Sequence, residues 1–122
     1  MRLLNTLLDA VLNAHVKDGY IDYPQIKKNS RFQKYLTLLE SFDPSGLETK
    51  DHQAAFWINT YNSLALKMVI NGTTPVNAVG RMKFFRTIEH KVGNRKYDLN
   101  SIKSILEEFE DPRVLFAIVD AS

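Results

Sequence analysis

The sequence predicts an α+β fold that is mainly helical, with about four helices around a central helix 49–71 and a small β-sheet. Four segments repeat apolar residues at helical spacing. The segment 88–97 has the pattern of a β-hairpin with a two-residue turn. With 122 residues, 44% of them hydrophobic and 25% charged, the chain has the composition of a soluble globular protein. We therefore expect one domain over residues 1–122.

The first predicted helix is amphipathic and ends at Lys17-Asp18-Gly19. Asn5, Asp9 and Asn13 interrupt its apolar residues, so it lacks the unbroken apolar core of a secretory signal. No later run reaches the length of a membrane span. The chain as written is thus expected to carry no signal peptide and to be cytoplasmic.

The next segment combines a short extended stretch with a second helix. Tyr20-Ile21-Asp22-Tyr23 alternates briefly, which indicates a short strand or an extended link before Pro24. Ser30 and Gln33 form a capping-box pattern at the start of the second helix. The turn residues Asp43-Pro44-Ser45-Gly46 end that helix.

The third helix, residues 49–71, is predicted to be central. Thr49 is its expected N-cap, and Asp51 suits the first turn because a carboxylate interacts favourably with the helix dipole. Apolar residues cover almost all of its faces, as is typical of a helix buried on several sides.

A hairpin and a fourth helix are predicted towards the C-terminus. The hairpin turns at Gly93-Asn94, and the helix carries apolar residues at helical spacing from Leu99 to Phe109. Val114–Val119 is nearly all apolar, which predicts a strand buried on both faces. Because the chain ends soon after, we expect this strand to pair its open edge with a second copy in a homodimer.

One helix face carries the candidate catalytic residues. Asn59 and Asn62 are three residues apart, so their amides share a face that also holds His52. Such amides can orient a substrate or bind an oxyanion, and His52 can act as a general base. The alternative interpretation is a polar face that meets solvent or satisfies loop carbonyls.

Metal and cofactor sites are not expected. The chain has no cysteine, and its three histidines (His15, His52 and His90) lie far apart without ligand spacing. Phosphate-binding glycine motifs and the G-x-S-x-G nucleophile motif are absent from the sequence.

Basic residues are concentrated between Arg81 and Lys96, where six of them accompany a single acid, Glu89. With the interleaved aromatic residues this resembles a nucleic-acid surface, but a solvated hairpin balanced by the acids after Leu106 explains it as well. With a net charge of +2, we do not expect nucleic acid as a partner. Protein partners fit better, with candidate binding residues Trp57, Tyr61, Arg86, His90 and Arg95.

The octet Ala55-Phe56-Trp57-Ile58-Asn59-Thr60-Tyr61-Asn62 resembles the signature of the family known as domain of unknown function 547. Further similar motifs occur in family order along nearly the whole chain: Lys17–Tyr23, Thr74-Pro75-Val76, Phe84-Phe85, Tyr97-Asp98-Leu99 and Asp111–Ala117. The resemblance implies that residues 1–122 form about the N-terminal two-thirds of a larger domain. Bacterial members of the family often look exported.

Two departures from the family pattern guide the functional expectation. Lys103-Ser104 stands where the family tends to have Glu-His, and Asp120 stands at its cysteine position. The resemblance then implies a non-catalytic binding or scaffold module. The alternative is a hydrolase-like site around His52, Asn59, Asn62 and Asp120.

Overall fold

Helices dominate the computed structural model, which describes residues 1–109. The helices are α1 (Arg2–His15), α2 (Tyr23–Lys28), α3 (Ser30–Ser41), α4 (Lys50–Ile70), α5 (Ala78–Met82) and α6 (Leu99–Glu107). The strands are β1 (Val16–Lys17), β2 (Tyr20–Ile21), β3 (His90–Val92) and β4 (Arg95–Tyr97). A 3₁₀ turn (Pro44–Gly46) and a π-helical turn (Lys83–Thr87) complete the set. The strands form two separate antiparallel hairpins, β1–β2 and β3–β4. The predicted fold class is confirmed.

Helix α4 matches its predicted range, and both of its ends are capped as the sequence indicates. Thr49 Oγ1 accepts a hydrogen bond of 3.1 Å from the backbone N–H of His52. At the other end, Gly72 adopts a positive φ of 88°. The N–H groups of Gly72 and Thr73 donate back to the carbonyls of Val69 and Met68, which ends the helix in a Schellman motif.

The core forms where α4 contacts α2 and α6 and where α1 packs against α3. Aromatic and aliphatic side chains from every helix except α5 are buried there. The largest fully buried ones are Tyr35, Tyr61, Phe32, Ile26, Leu39, Leu99, Ile102 and Leu106. Helix α4 buries residues on several faces. A polar side chain of α4 is therefore accessible only where no neighbouring element covers the face on which it lies.

The β3–β4 hairpin caps the C-terminal end of α3. Its turn residues Gly93 and Asn94 both have positive φ, as a tight two-residue turn requires. Their N–H groups donate to the carbonyls of Leu39 and Glu40, at 3.2 and 2.8 Å. Those carbonyls belong to the last turn of α3, where helical partners run out. The Leu39 carbonyl also accepts from the Phe42 N–H at 3.3 Å, so the hairpin gives Leu39 a second donor and supplies one to Glu40.

Two details differ from the sequence prediction. The capping box at Ser30 is wrong, because Asn29 is the N-cap and its Oδ1 accepts from the N–H groups of Arg31 and Phe32. There are also six helices in the described residues instead of four, since α2 and α5 are short. The predicted strand Val114–Val119 lies outside the described residues.

Candidate functional site

The polar candidates on α4 do not form one cluster. His52 lies in the first turn and Asn62 ten residues later, and both side chains are exposed. At a rise of 1.5 Å per residue, about 15 Å of helix axis separates them. Asp120, the fourth candidate, lies outside the described residues. Within residues 1–109 these side chains therefore do not assemble into a nucleophile, base and oxyanion arrangement.

Asn59 lies on the same face of α4 as Asn62, is half-buried, and connects α4 to α1. Its Nδ2 donates to Oδ1 of Asn5 on α1, over 3.4 Å. This long hydrogen bond joins α1 to α4, and it uses one of the two N–H donors of the Asn59 amide.

Asn62 opens onto an apolar groove of about 360 Å³. We call it the apolar groove; its walls come from α1, β2, α2 and the C-terminal half of α4, together with Pro75 and Phe84. Leu12 and Tyr23 line it and stay 37% and 38% exposed, which is high for such large side chains. Asn62 and Tyr23 bring the only polar side-chain groups among the described lining residues. The groove can therefore bury apolar groups and fix their orientation by a few hydrogen bonds.

His90 is a buried histidine on β3, only 3% exposed. Neither ring nitrogen has a hydrogen-bond partner among residues 1–109. Burial lowers the pKa of His90 to about 4, the positive charge of Lys67 adds to this shift, and Asp98 opposes it. At neutral pH the imidazole is therefore uncharged. It can act as a base, but the described residues provide no nucleophile beside it.

A buried polar relay joins α3 to α4. The Tyr35 hydroxyl and Ser63 Oγ form a hydrogen bond of 3.0 Å. Ser63 Oγ donates to the carbonyl of Thr60 at 3.0 Å, so the Tyr35 hydroxyl must be the donor to Ser63. Burial raises the pKa of Tyr35 to about 12, which keeps this proton in place. The relay orients two helices and is closed to solvent.

The predicted binding residues occupy different environments. Trp57 and Tyr61 are buried in the core, where the Trp57 ring contacts that of Tyr97 edge to face at 5.3 Å between centroids. Arg86 and Arg95 are exposed, on the π-helical turn and on β4. Their roles in binding stay predictions, and the structure does not bring the set together on one surface.

Sequence reasoning missed the walls of the apolar groove. Leu12 belongs to the apolar stripe of α1, and a position on that stripe predicts burial in the core. Tyr23 follows Asp22, whose carboxylate accepts from the N–H of Gln25 and so starts α2 beside the groove. The Asp-x-Pro spacing there was the available signal for this short helix.

Residues 1–109 contain neither a cluster suited to a metal ion nor a helix suited to a membrane span. In residues 1–109, no group of three His, Asp or Glu side chains is arranged so that it could hold a metal ion. None of the helices in this range has the length and apolar character needed to cross a bilayer.

The fold and the octet on α4 define a mainly helical α+β domain with a partly open apolar groove. The chain belongs to the family described as "Protein of unknown function, DUF547", whose model matches residues 44–122. That range includes α4 with its octet, so the family resemblance drawn from the sequence is confirmed. No curated protein and no solved structure matches the chain.

Proposed function

We propose that this domain is a non-catalytic binding module whose apolar groove receives apolar side chains of a partner protein. The observation that carries the proposal is the exposure of Leu12 and Tyr23 around the accessible amide of Asn62. Large apolar side chains held at the surface around a concavity gain free energy when a partner removes them from water.

The shape and chemistry of the groove favour a polypeptide. Its volume of about 360 Å³ lies at the lower end of the range for small-molecule sites, and it suits one or two large apolar side chains. The amide of Asn62 offers both a donor and an acceptor, which is what an extended peptide backbone presents in return. The apolar walls supply affinity, and the amide fixes the register.

The hydrolase interpretation draws less support from the geometry. A general base must lie within hydrogen-bond reach of the group it activates, or be one water away. His52 is separated from Asn62 along the helix, and Asn59 is bonded to Asn5. His90 is only 3% exposed, so it does not meet a substrate at the surface of the described residues.

Selection of short peptides from a displayed random library tests the binding function. Peptides that bind the wild-type domain are measured against Leu12→Glu, which places a carboxylate in the groove wall. We expect a loss of affinity of at least tenfold, since burying an unpaired charge costs more than about 1.4 kcal/mol. Leu3→Glu is the matched control, because Leu3 lies on the same helix, is 51% exposed and does not line the groove.

Two results would contradict the proposal. One is equal loss of peptide binding in both leucine variants, which would place the binding surface elsewhere. The other is a reproducible ester or amide hydrolysis by the wild-type domain that His52→Ala or Asn62→Ala abolishes while the domain stays folded.

A further inference from the structure

A second cleft, separate from the apolar groove, lies between α5, the π-helical turn and α6. Its volume is about 380 Å³, and it shares no lining residue with the groove. We call it the basic cleft; its main lining residues are Arg81, Met82, Phe85, Arg86, Asn100 and Lys103. The contiguous α5 and π-helical turn thus form one concave surface together with α6, which follows them after the β3–β4 hairpin.

The charges of the basic cleft all have the same sign. Arg81, Arg86 and Lys103 line it, and none of its described lining residues is acidic. The carboxylate of Asp98 at the start of α6 is engaged as the helix N-cap, where it accepts from the N–H and the hydroxyl of Ser101 at 2.6 and 2.8 Å. Three cations around one concavity repel each other and focus a positive potential into it, so an anion that binds there relieves the repulsion.

The cleft also has an apolar side. Met82 is largely exposed, and the Phe85 ring is held edge to face against the buried Phe84 ring at 4.9 Å between centroids. Phe85 is therefore anchored and presents a fixed surface to the cleft. A bare inorganic ion would leave this apolar surface uncovered.

We propose that the basic cleft binds a small organic phosphate, a phosphomonoester whose apolar or aromatic part lies against Met82 and Phe85. Guanidinium groups match the paired oxygens of a phosphate in bidentate geometry, and Arg81 and Arg86 supply two of them. A phosphomonoester carries nearly two negative charges at neutral pH, which balances a three-cation cleft better than a carboxylate does. The Asn100 amide is a further donor at the edge of the cleft.

Calorimetric titration with phenyl phosphate tests this site. We expect saturable binding that weakens at least tenfold in Arg86→Gln, because the neutral amide cannot replace the charge-assisted hydrogen bonds of the guanidinium to the phosphate. Lys103→Gln is the second variant and should weaken binding in the same direction. Arg31→Gln is the matched control: it removes an equal charge from an exposed residue on α3, outside the cleft, and affinity should change less than about twofold.

Two further ligands separate the features of the site. Inorganic phosphate should bind more weakly than phenyl phosphate because it leaves Phe85 uncovered, and benzoate should bind more weakly because it carries one charge. Equal affinity for either of them overturns the assignment, as does an equal effect of Arg31→Gln and Arg86→Gln, or no detectable binding of phenyl phosphate. Because the cleft and the groove share no residue, peptide binding and phosphate binding can fail independently.

Discussion

Replacing the buried His90 by leucine should change how the stability of the domain depends on pH. The imidazole is 3% exposed, neither nitrogen has a hydrogen-bond partner within residues 1–109, and its pKa falls from an ordinary 6.5 to about 4. Above pH 6.5 the ring is neutral in both the folded and the unfolded chain. Between pH 6.5 and about 4 only the unfolded chain takes up the proton, so the free energy of unfolding decreases as the pH falls.

The size of this effect follows from the same two pKa values. One pKa unit corresponds to about 1.4 kcal/mol, so the full shift amounts to about 3 kcal/mol once the pH lies below both values. At pH 5 about 2 kcal/mol of stability should already be lost. Lys67 and Asp98 are the charged groups that act on the ring: Lys67 adds to the lowering of the His90 pKa, and Asp98 opposes it.

Urea unfolding of wild type and His90→Leu, from neutral pH to pH 5, measures this effect. The single tryptophan, Trp57, is buried against Tyr97 and reports unfolding by its fluorescence. The stability difference between the two proteins should shift by about 2 kcal/mol in favour of His90→Leu as the pH falls to 5. The exposed His52, changed to glutamine, should show less than about 0.5 kcal/mol of such a shift. A pH-independent difference between wild type and His90→Leu would refute the reasoning, because it would mean that His90 titrates normally in the folded state.

Three further predictions concern stability, each measured by the same urea unfolding at neutral pH. Gly93→Ala should lower the free energy of unfolding by about 2 kcal/mol or more, because φ is +57° and a Cβ would lie 2.7 Å from the Phe42 carbonyl oxygen. The control Gly46→Ala, where a Cβ would meet no atom within 4 Å, should stay within about 0.5 kcal/mol of wild type. Equal effects of the two variants would contradict the turn geometry. Asn29→Ala removes the N-cap of α3 and should lower the free energy of unfolding by about 1 kcal/mol. An unchanged stability would instead indicate that Ser30 is the cap. Tyr35→Phe should cost about 1 kcal/mol through the lost hydrogen bond to Ser63, and it should cost much less in a Ser63→Ala background; full additivity would exclude the buried relay.

The long helices could be predicted from the sequence because their signals are local. Apolar spacing located α1, α3, α4 and α6, and the cap at Thr49 and the glycine after Asn71 marked the ends of α4. The β3–β4 hairpin was equally readable from Gly93-Asn94. The short helices α2 and α5 lack a full apolar stripe. Helix α2 packs against α4 and α1, contacts that sequence periodicity does not contain, whereas α5 buries no side chain and starts at an Asn77 cap that accepts from the Gly80 N–H.

The capping error at Ser30 shows a related limit. Asn29 and Ser30 are both good N-cap residues, and the capping-box pattern favours the serine. The Asn29 side chain also contacts the His15 ring at 2.9 Å, a contact between residues fourteen positions apart. The cap residue of α3 therefore also has a contact on another helix, and a local sequence pattern contains no information about that contact.

The candidate sites were less predictable than the fold. Sequence reasoning selected Asn62 but grouped it with His52, because helix periodicity places both on one side of α4. The ten residues between them, about 15 Å of helix axis at a rise of 1.5 Å per residue, keep the two side chains apart. It also grouped Arg86 with Arg95, because the two residues are close in sequence. The structure places Arg86 in the basic cleft and Arg95 on β4, outside that cleft. The groove walls and Lys103 come from other elements, and only the folded chain brings them next to Asn62 and Arg86.

The most direct test of the proposed binding function is a map of where a selected peptide contacts the isotope-labelled domain, obtained from backbone amide shifts during an NMR titration. We predict that the largest shifts cluster around Leu12, Tyr23, Asn62 and Leu66, the walls of the apolar groove. Shifts centred on the first turn of α4 at His52, with the groove unchanged, would contradict a groove-binding module and return attention to the polar face of that helix.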